Sequence, residues 1–171
     1  MTASSDETTE TAWLNDDEQC AWWALLEVGS GLFDALSCDL RATADLTLED
    51  YEVLHLLSEQ DARSLRIGTL AEMMLASRTR LSQRIDRMAT RGLVKREPCP
   101  EDGRAINVVL TDAGYDLLVE IAPIHLESVR RLTFDHLTSA DVKALGSGLS
   151  KVAQHLHEVR ASPSRPSAEA D

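Results

Sequence analysis

The segment between Ser77 and Gly92 constrains the fold more than any other part of the chain. At helical spacing it sets Leu81, Ile85 and Met88, with Ala89, on one face. The remaining positions carry Arg78, Arg80, Gln83, Arg84, Arg87 and Arg91. A helix of this kind buries one narrow stripe and gives the rest to solvent or to an anionic ligand. Ser77 has the chemistry of an N-cap and Gly92 that of a stop. Upstream, Gly68 opens a short helix holding Leu70, Ala71, Met74 and Leu75, so two short helices meet at a tight turn and the second is basic. That is the helix-turn-helix pattern. Leu93–Glu97 and Ala105–Leu110 then read as two strands, the second turning Ile106, Val108 and Leu110 inward, with Pro98–Gly103 as the turn between them. A hairpin directly behind such a helix is a wing. Arg104 stands at its tip, and Asp102 is placed to orient that guanidinium.

Charge supports this. The chain of 171 residues carries a net charge of −12, which taken whole argues against a polyanionic partner. Its distribution points the other way: residues 1–62 hold fifteen acids and one base, residues 63–104 five acids and ten bases, and residues 105–171 nine acids and six bases. A basic segment inside an acidic protein is a local footprint for double-stranded DNA, and the acidic remainder limits indiscriminate sticking. The alternative is a solvated charged helix face.

The flanks are helical. Apolar residues recur from Glu18 to Leu40 (Trp22, Leu25, Leu26, Leu32, Phe33, Leu36), and Thr47 caps a second helix burying Tyr51, Leu54 and Leu57. Glu59–Arg63 is a polar break. Thr111 caps a long helix that Pro123 should kink, and Thr138 with Asp141 starts a last helix in capping-box fashion. The expected architecture is mainly α with a small β wing: a winged helix-turn-helix over residues 46–110, flanked by dimerisation helices over 16–41 and 112–160 in a single domain of residues 16–160. The ends, 1–15 and 161–171, are too polar to order and read as disordered tails. No apolar run reaches the roughly 20 residues of a membrane helix, and no signal segment opens the chain, so a cytoplasmic protein is expected. Cys20, Cys38 and Cys99 stand at no metal-ligand spacing, His155 and His157 point to different faces of a helix, and no nucleophile with a base and an orienting group is recognisable. Neither an enzyme, a cofactor nor a metal site is expected.

The order of helices, Leu70-Ala71 followed by Ser77 and the basic helix, Arg91-Gly92-Leu93-Val94-Lys95-Arg96, Asp102-Gly103-Arg104 and Leu110-Thr111-Asp112-Ala113-Gly114 together resemble the multiple-antibiotic-resistance regulator (MarR) family from about Glu18 to Val159. The resemblance implies a homodimer built by the first and last two helices, in a family where many members are repressors released by small phenolic ligands or by cysteine oxidation. By position it implies DNA contacts from Ser77, Arg78, Thr79, Arg80, Ser82, Gln83, Arg84 and Arg87 of the recognition helix and from Asp102 and Arg104 of the wing. Gly103 stands where the family commonly has a second arginine. An effector pocket for a small aromatic ligand is expected near Trp22, with Tyr51, His55 and Arg66 as polar groups; the alternative is that Trp22 and Trp23 are interface packing and His55 a half-buried structural histidine. Two other readings stay open: a redox-sensing regulator using Cys20 or Cys99, the latter on an exposed wing, and a winged-helix module for protein interaction.

Overall fold

The computed structural model describes residues 11–100 and 102–161, without the side chains of Gly103, Arg104 and Ala161. The expected tails therefore fall largely outside the described residues. In chain order the elements are α1 (Asp16–Ala44), α2 (Leu48–Ser58), β1 (Ser64–Arg66), α3 (Ile67–Met73), α4 (Arg78–Thr90), β2 (Val94–Cys99), β3 (Asp102–Leu110), α5 (Asp112–Leu132), a single 3₁₀ turn (Phe134–His136) and α6 (Ser139–Ala161). The chain divides into two compact units, the first ending at Ala35 and the second starting at Leu36, so the boundary falls inside α1.

Local chemistry sets the ends of these elements. Thr47 caps α2 in a full capping box with Asp50, Ser77 caps α4, and Thr111 caps α5. α4 stops in a Schellman motif: Gly92 takes φ +74°, its N–H donates to the Ala89 carbonyl at 2.9 Å, and the Leu93 N–H donates to Met88 at 3.1 Å. The turn between α3 and α4 is built the same way, with the Ala76 N–H on Ala71 at 3.0 Å, but Leu75 rather than glycine occupies the left-handed position at φ +49°. α5 runs unbroken through Pro123.

The sheet is three-stranded and antiparallel in the order β1-β3-β2, with a register shift between Pro98 and Cys99. β1 was not expected from the sequence. Its three residues pair Ser64 with Val109, Leu65 with Val108 and Arg66 with Asn107, which anchors the start of α3 to the wing. Val108 and Leu110 are buried as their alternation requires, against Leu54 and Leu57 of α2, Leu70 of α3 and Leu81, Ile85 and Met88 of α4 in one core. Among the described residues no helix is long and apolar enough to cross a membrane, and no group of three or more His, Cys, Asp or Glu is placed to hold a metal ion.

The junction of wing and α5 explains the Leu110-Thr111-Asp112-Ala113-Gly114 run. The Thr111 hydroxyl donates toward the Gly92 and Leu93 carbonyls, at 2.6 and 3.0 Å, and accepts the Gly114 N–H at 3.0 Å. One threonine thus joins the end of α4, the start of β2 and the first turn of α5. Gly114 packs so closely here that a Cβ would stand 2.1 Å from the Leu93 carbonyl oxygen and 2.8 Å from Leu110 Cδ1. Because the first obstacle is backbone, the cost falls on the junction itself. Gly114→Ala should destabilise the protein by about 1–3 kcal/mol in urea or thermal unfolding, and an unchanged midpoint would contradict the close packing.

Candidate nucleic-acid interface

α4 presents two opposite faces. Leu81, Ile85 and Met88 are at most 2% exposed, while Ser77, Arg78, Thr79, Arg80, Gln83 and Arg87 stand open to solvent. Arg78 lies 3.8 Å from Glu72 in a pair that is exposed on both sides and so weakly held. Arg80 and Arg87 have no acidic partner among the described residues. A guanidinium without an intramolecular acid is available to a phosphate or to a guanine edge.

The other bases of this segment are committed. Arg84 turns away from the open face: its Nη1 lies 2.6 Å from Asp50 Oδ1 and donates to Thr47 Oγ1 at 2.7 Å, and its Nη2 is 3.7 Å from Glu49. The expectation that Arg84 shares the outward face with Arg80 is therefore corrected, because the acidic first turn of α2 captures it. Ser82 is corrected too; its hydroxyl accepts Arg96 Nη2 at 2.8 Å, and Arg96 also pairs with Asp86 at 2.9 Å, which ties β2 to α4. Arg91, expected among the bases left for solvent or an anionic ligand, donates to the Ala44 and Asp45 carbonyls at 2.8 and 2.5 Å and so caps the end of α1. Arg63 pairs with Asp112 at 3.3 Å and covers the Tyr115 ring at 3.8 Å. What remains is a compact face of Ser77, Arg78, Thr79, Arg80, Gln83 and Arg87. Asp102 is exposed at the start of β3, and the Arg104 backbone lies in the same strand, while the Arg104 side chain lies outside the described residues.

Of the residues expected around an effector, Tyr51 and His55 come together and Arg66 does not join them. Tyr51 and His55 stack, with ring centroids 6.3 Å apart and planes at 12°, but His55 is exposed rather than half-buried and lines a groove of about 340 Å³ with Met73, Met74 and Leu75. Arg66 lines a separate recess of about 310 Å³ with Ser64, Thr69, Cys99 and Asn107. Trp22 belongs to the other compact unit, where it is exposed. Cys99 is buried, 5% exposed, because the register shift after Pro98 turns it inward; this corrects its expected place on an exposed wing, whereas Cys20 and Cys38 are exposed.

Comparison with known proteins agrees with this geometry. The family model described as the MarR family matches residues 44–105. The structure is similar to that of AbsC, a MarR family transcriptional regulator from Streptomyces coelicolor, at 41% identity and a TM-score of 0.80, covering 86% of this chain and 99% of that one. It is similar to Sco3205, a MarR family transcriptional regulator from the same organism solved in complex with DNA, at 37% identity and a TM-score of 0.82, covering 86% and 92%. The HTH-type transcriptional repressor IacR of Pseudomonas putida is 33% identical over 113 residues, 66% of this chain and 65% of its own length.

His125 of α5, which the sequence did not single out, lies against the Tyr51 ring at 4.1 Å, and its Nδ1 is buried with no hydrogen-bond partner among the described residues. Burial, with the nearby His55 adding to it, holds its pKa below the ordinary 6.5. The fold therefore favours the neutral ring. Its contribution is fully present above pH 6.5 and declines as the pH falls from there toward the depressed native value, because the unfolded chain takes up the proton first. His125→Phe should remove that decline, so that the stability difference between wild type and variant shifts in the variant's favour from pH 7.5 down to about pH 5.5 in urea titrations. A difference that stays constant with pH would contradict a buried neutral histidine.

Proposed function

Because this chain belongs to the MarR family of DNA-binding transcriptional regulators, we propose that it acts as a homodimer whose two α4 helices enter adjacent major grooves of a pseudo-palindromic operator. The observation that carries this reading is the two-faced α4, with its inner stripe buried and Arg80 and Arg87 without acids among the described residues on the open side. Ser77 and Thr79 at the helix N-terminus are short enough for the backbone to approach phosphate, and Arg78 and Gln83 widen the contact. Arg104, with Asp102 beside it in sequence, reaches the minor groove, whose narrow A·T-rich stretches attract arginine.

The outcome we assign is repression, by occupancy of the promoter; the likeness to a protein named as a repressor, IacR, supports it. The working compartment is the cytoplasm, and release falls to a small aromatic compound in the groove that the exposed His55 ring lines with Met73 and Met74, apolar and aromatic surface suited to such a ligand.

Dimerisation rests on α6. Val142, Leu145, Leu149, Val152, Leu156 and Val159 alternate at spacings of three and four and are all 36–55% exposed. That is a heptad seam left largely open to solvent. In the other unit, Trp22, Trp23, Leu25, Leu26 and Phe33 of α1 are likewise exposed.

Two measurements test this reading. Arg80→Ala and Arg87→Ala should each weaken binding to a genomic fragment selected with the wild type, by about 1–3 kcal/mol where the arginine reads a guanine, with the melting temperature unchanged. Wild-type affinity in both would exclude α4 as the reader. Leu149→Glu with Leu156→Glu should convert a dimer to a monomer in sedimentation at micromolar concentration and lower affinity for the full palindrome far more than for a half-site. A variant that still sediments as a dimer would remove α6 from the interface.

A further inference from the structure

Arg84 sits at the middle of α4, four residues after Arg80 and three before Arg87, yet it faces protein. Its side chain is 19% exposed and that of Asp50 is 13%, so this pair is screened far less than the exposed ones around it. Asp50 is fully used: Oδ1 takes the guanidinium at 2.6 Å and Oδ2 takes the Thr47 N–H at 2.9 Å, while Thr47 Oγ1 receives the Asp50 N–H at 3.2 Å as well as Arg84 at 2.7 Å. Burial alone would push the Asp50 carboxyl up; the Thr47 backbone bond, Arg84 and the Thr47 hydroxyl more than offset this and hold it below its ordinary value. α2, whose capped end Arg84 grips, is anchored in the core, since Leu46 before it and Val53, Leu54 and Leu57 within it are fully buried.

A cation at a helix N-terminus is unfavourable by the helix dipole. Arg84 is stable there only because Asp50 and Glu49 invert the local charge, which makes the contact specific to this direction and this distance. We infer that Arg84 is a positioning residue: it sets the tilt of the recognition helix against the capped end of α2 and thereby governs DNA affinity without touching DNA. The inference rests on the proposed role of α4 as the reader. Rotation of α4 about its midpoint moves Arg80 and Arg87 together, so a loosened Arg84 displaces both contacts.

The test separates positioning from phosphate contact through salt. A double-stranded fragment selected from the source genome with the wild type is the probe, followed by fluorescence anisotropy over a range of salt, well below each melting temperature. Arg84→Met keeps the stem and removes the charge; Asp50→Asn keeps an acceptor for the Thr47 N–H and removes the charge; Arg80→Ala is the contact reference. Arg84→Met and Asp50→Asn should each weaken binding about tenfold, or ~1.4 kcal/mol, with the slope of log K against log salt as in the wild type. The double variant should be no weaker than the worse single one, since both break the same tie. Arg80→Ala should instead flatten the slope by about 0.9. Arg84→Met flattening the slope like Arg80→Ala, binding like the wild type, or adding fully to Asp50→Asn would each overturn the inference. Should Arg84→Met fail to fold, Arg84→Lys decides: intermediate affinity with an unchanged slope supports positioning, because lysine keeps the charge but not the planar fork that reaches Asp50 and Thr47 together. Failure of the wild type to bind DNA would defeat the reading of α4, and this inference with it, before any variant is compared.

Discussion

Everything on the open side of α4 depends on the apolar contact on its other side. Leu81, Ile85 and Met88 disappear into the core formed with α2, α3 and the sheet, and this burial allows a thirteen-residue helix so rich in arginine to exist at a fixed angle. Burial fixes the stripe but leaves tilt soft, because an apolar contact has no direction. Direction comes from polar ties along the helix: Ser82 and Asp86 to Arg96, Arg84 to Asp50, and at its end Arg91 to the Ala44 and Asp45 carbonyls and Gly92 to Thr111. The arginines thus divide into those that build the reader and those that are left for DNA.

That division marks the limit of what the sequence disclosed. The basic helix, the wing behind it, the caps at Thr47, Ser77 and Thr111 and the three long flanking helices were all legible, because periodicity and capping act within a few residues of each other. The partners of Arg84 and Arg91 lie 34 to 47 residues away in the chain, and no local pattern marks them. Periodicity placed Arg84 off the apolar stripe of its helix; it had no means of showing that α2 would supply acids there and turn the side chain away from the open face. β1 escaped for a related reason. Three residues, Ser64 to Arg66, are too few to show alternation, and they form a strand only because β3 offers a free edge.

The wing shows how a small irregularity changes chemistry. Read as a regular hairpin, its first strand puts Cys99 near the exposed turn. The shift between Pro98 and Cys99 turns the thiol inward, which takes away the accessibility that oxidation sensing requires and weakens that reading at this position. Arg66 fails to join Tyr51 and His55 for a simpler reason: the three have polar chemistry in common but not position, since Tyr51 and His55 lie one turn apart on α2 and Arg66 ends β1, where it lines a separate recess.

The claim that joins these observations is that two copies of α4, held at one angle by buried ties and by a dimer seam, read two neighbouring major grooves. A hydroxyl-radical footprint on a genomic fragment selected with the purified protein tests it most directly. The account predicts two protected patches related by a dyad, with centres about 10 base pairs apart, one helical turn. A single protected patch, or two whose spacing bears no relation to the helical repeat, would contradict it.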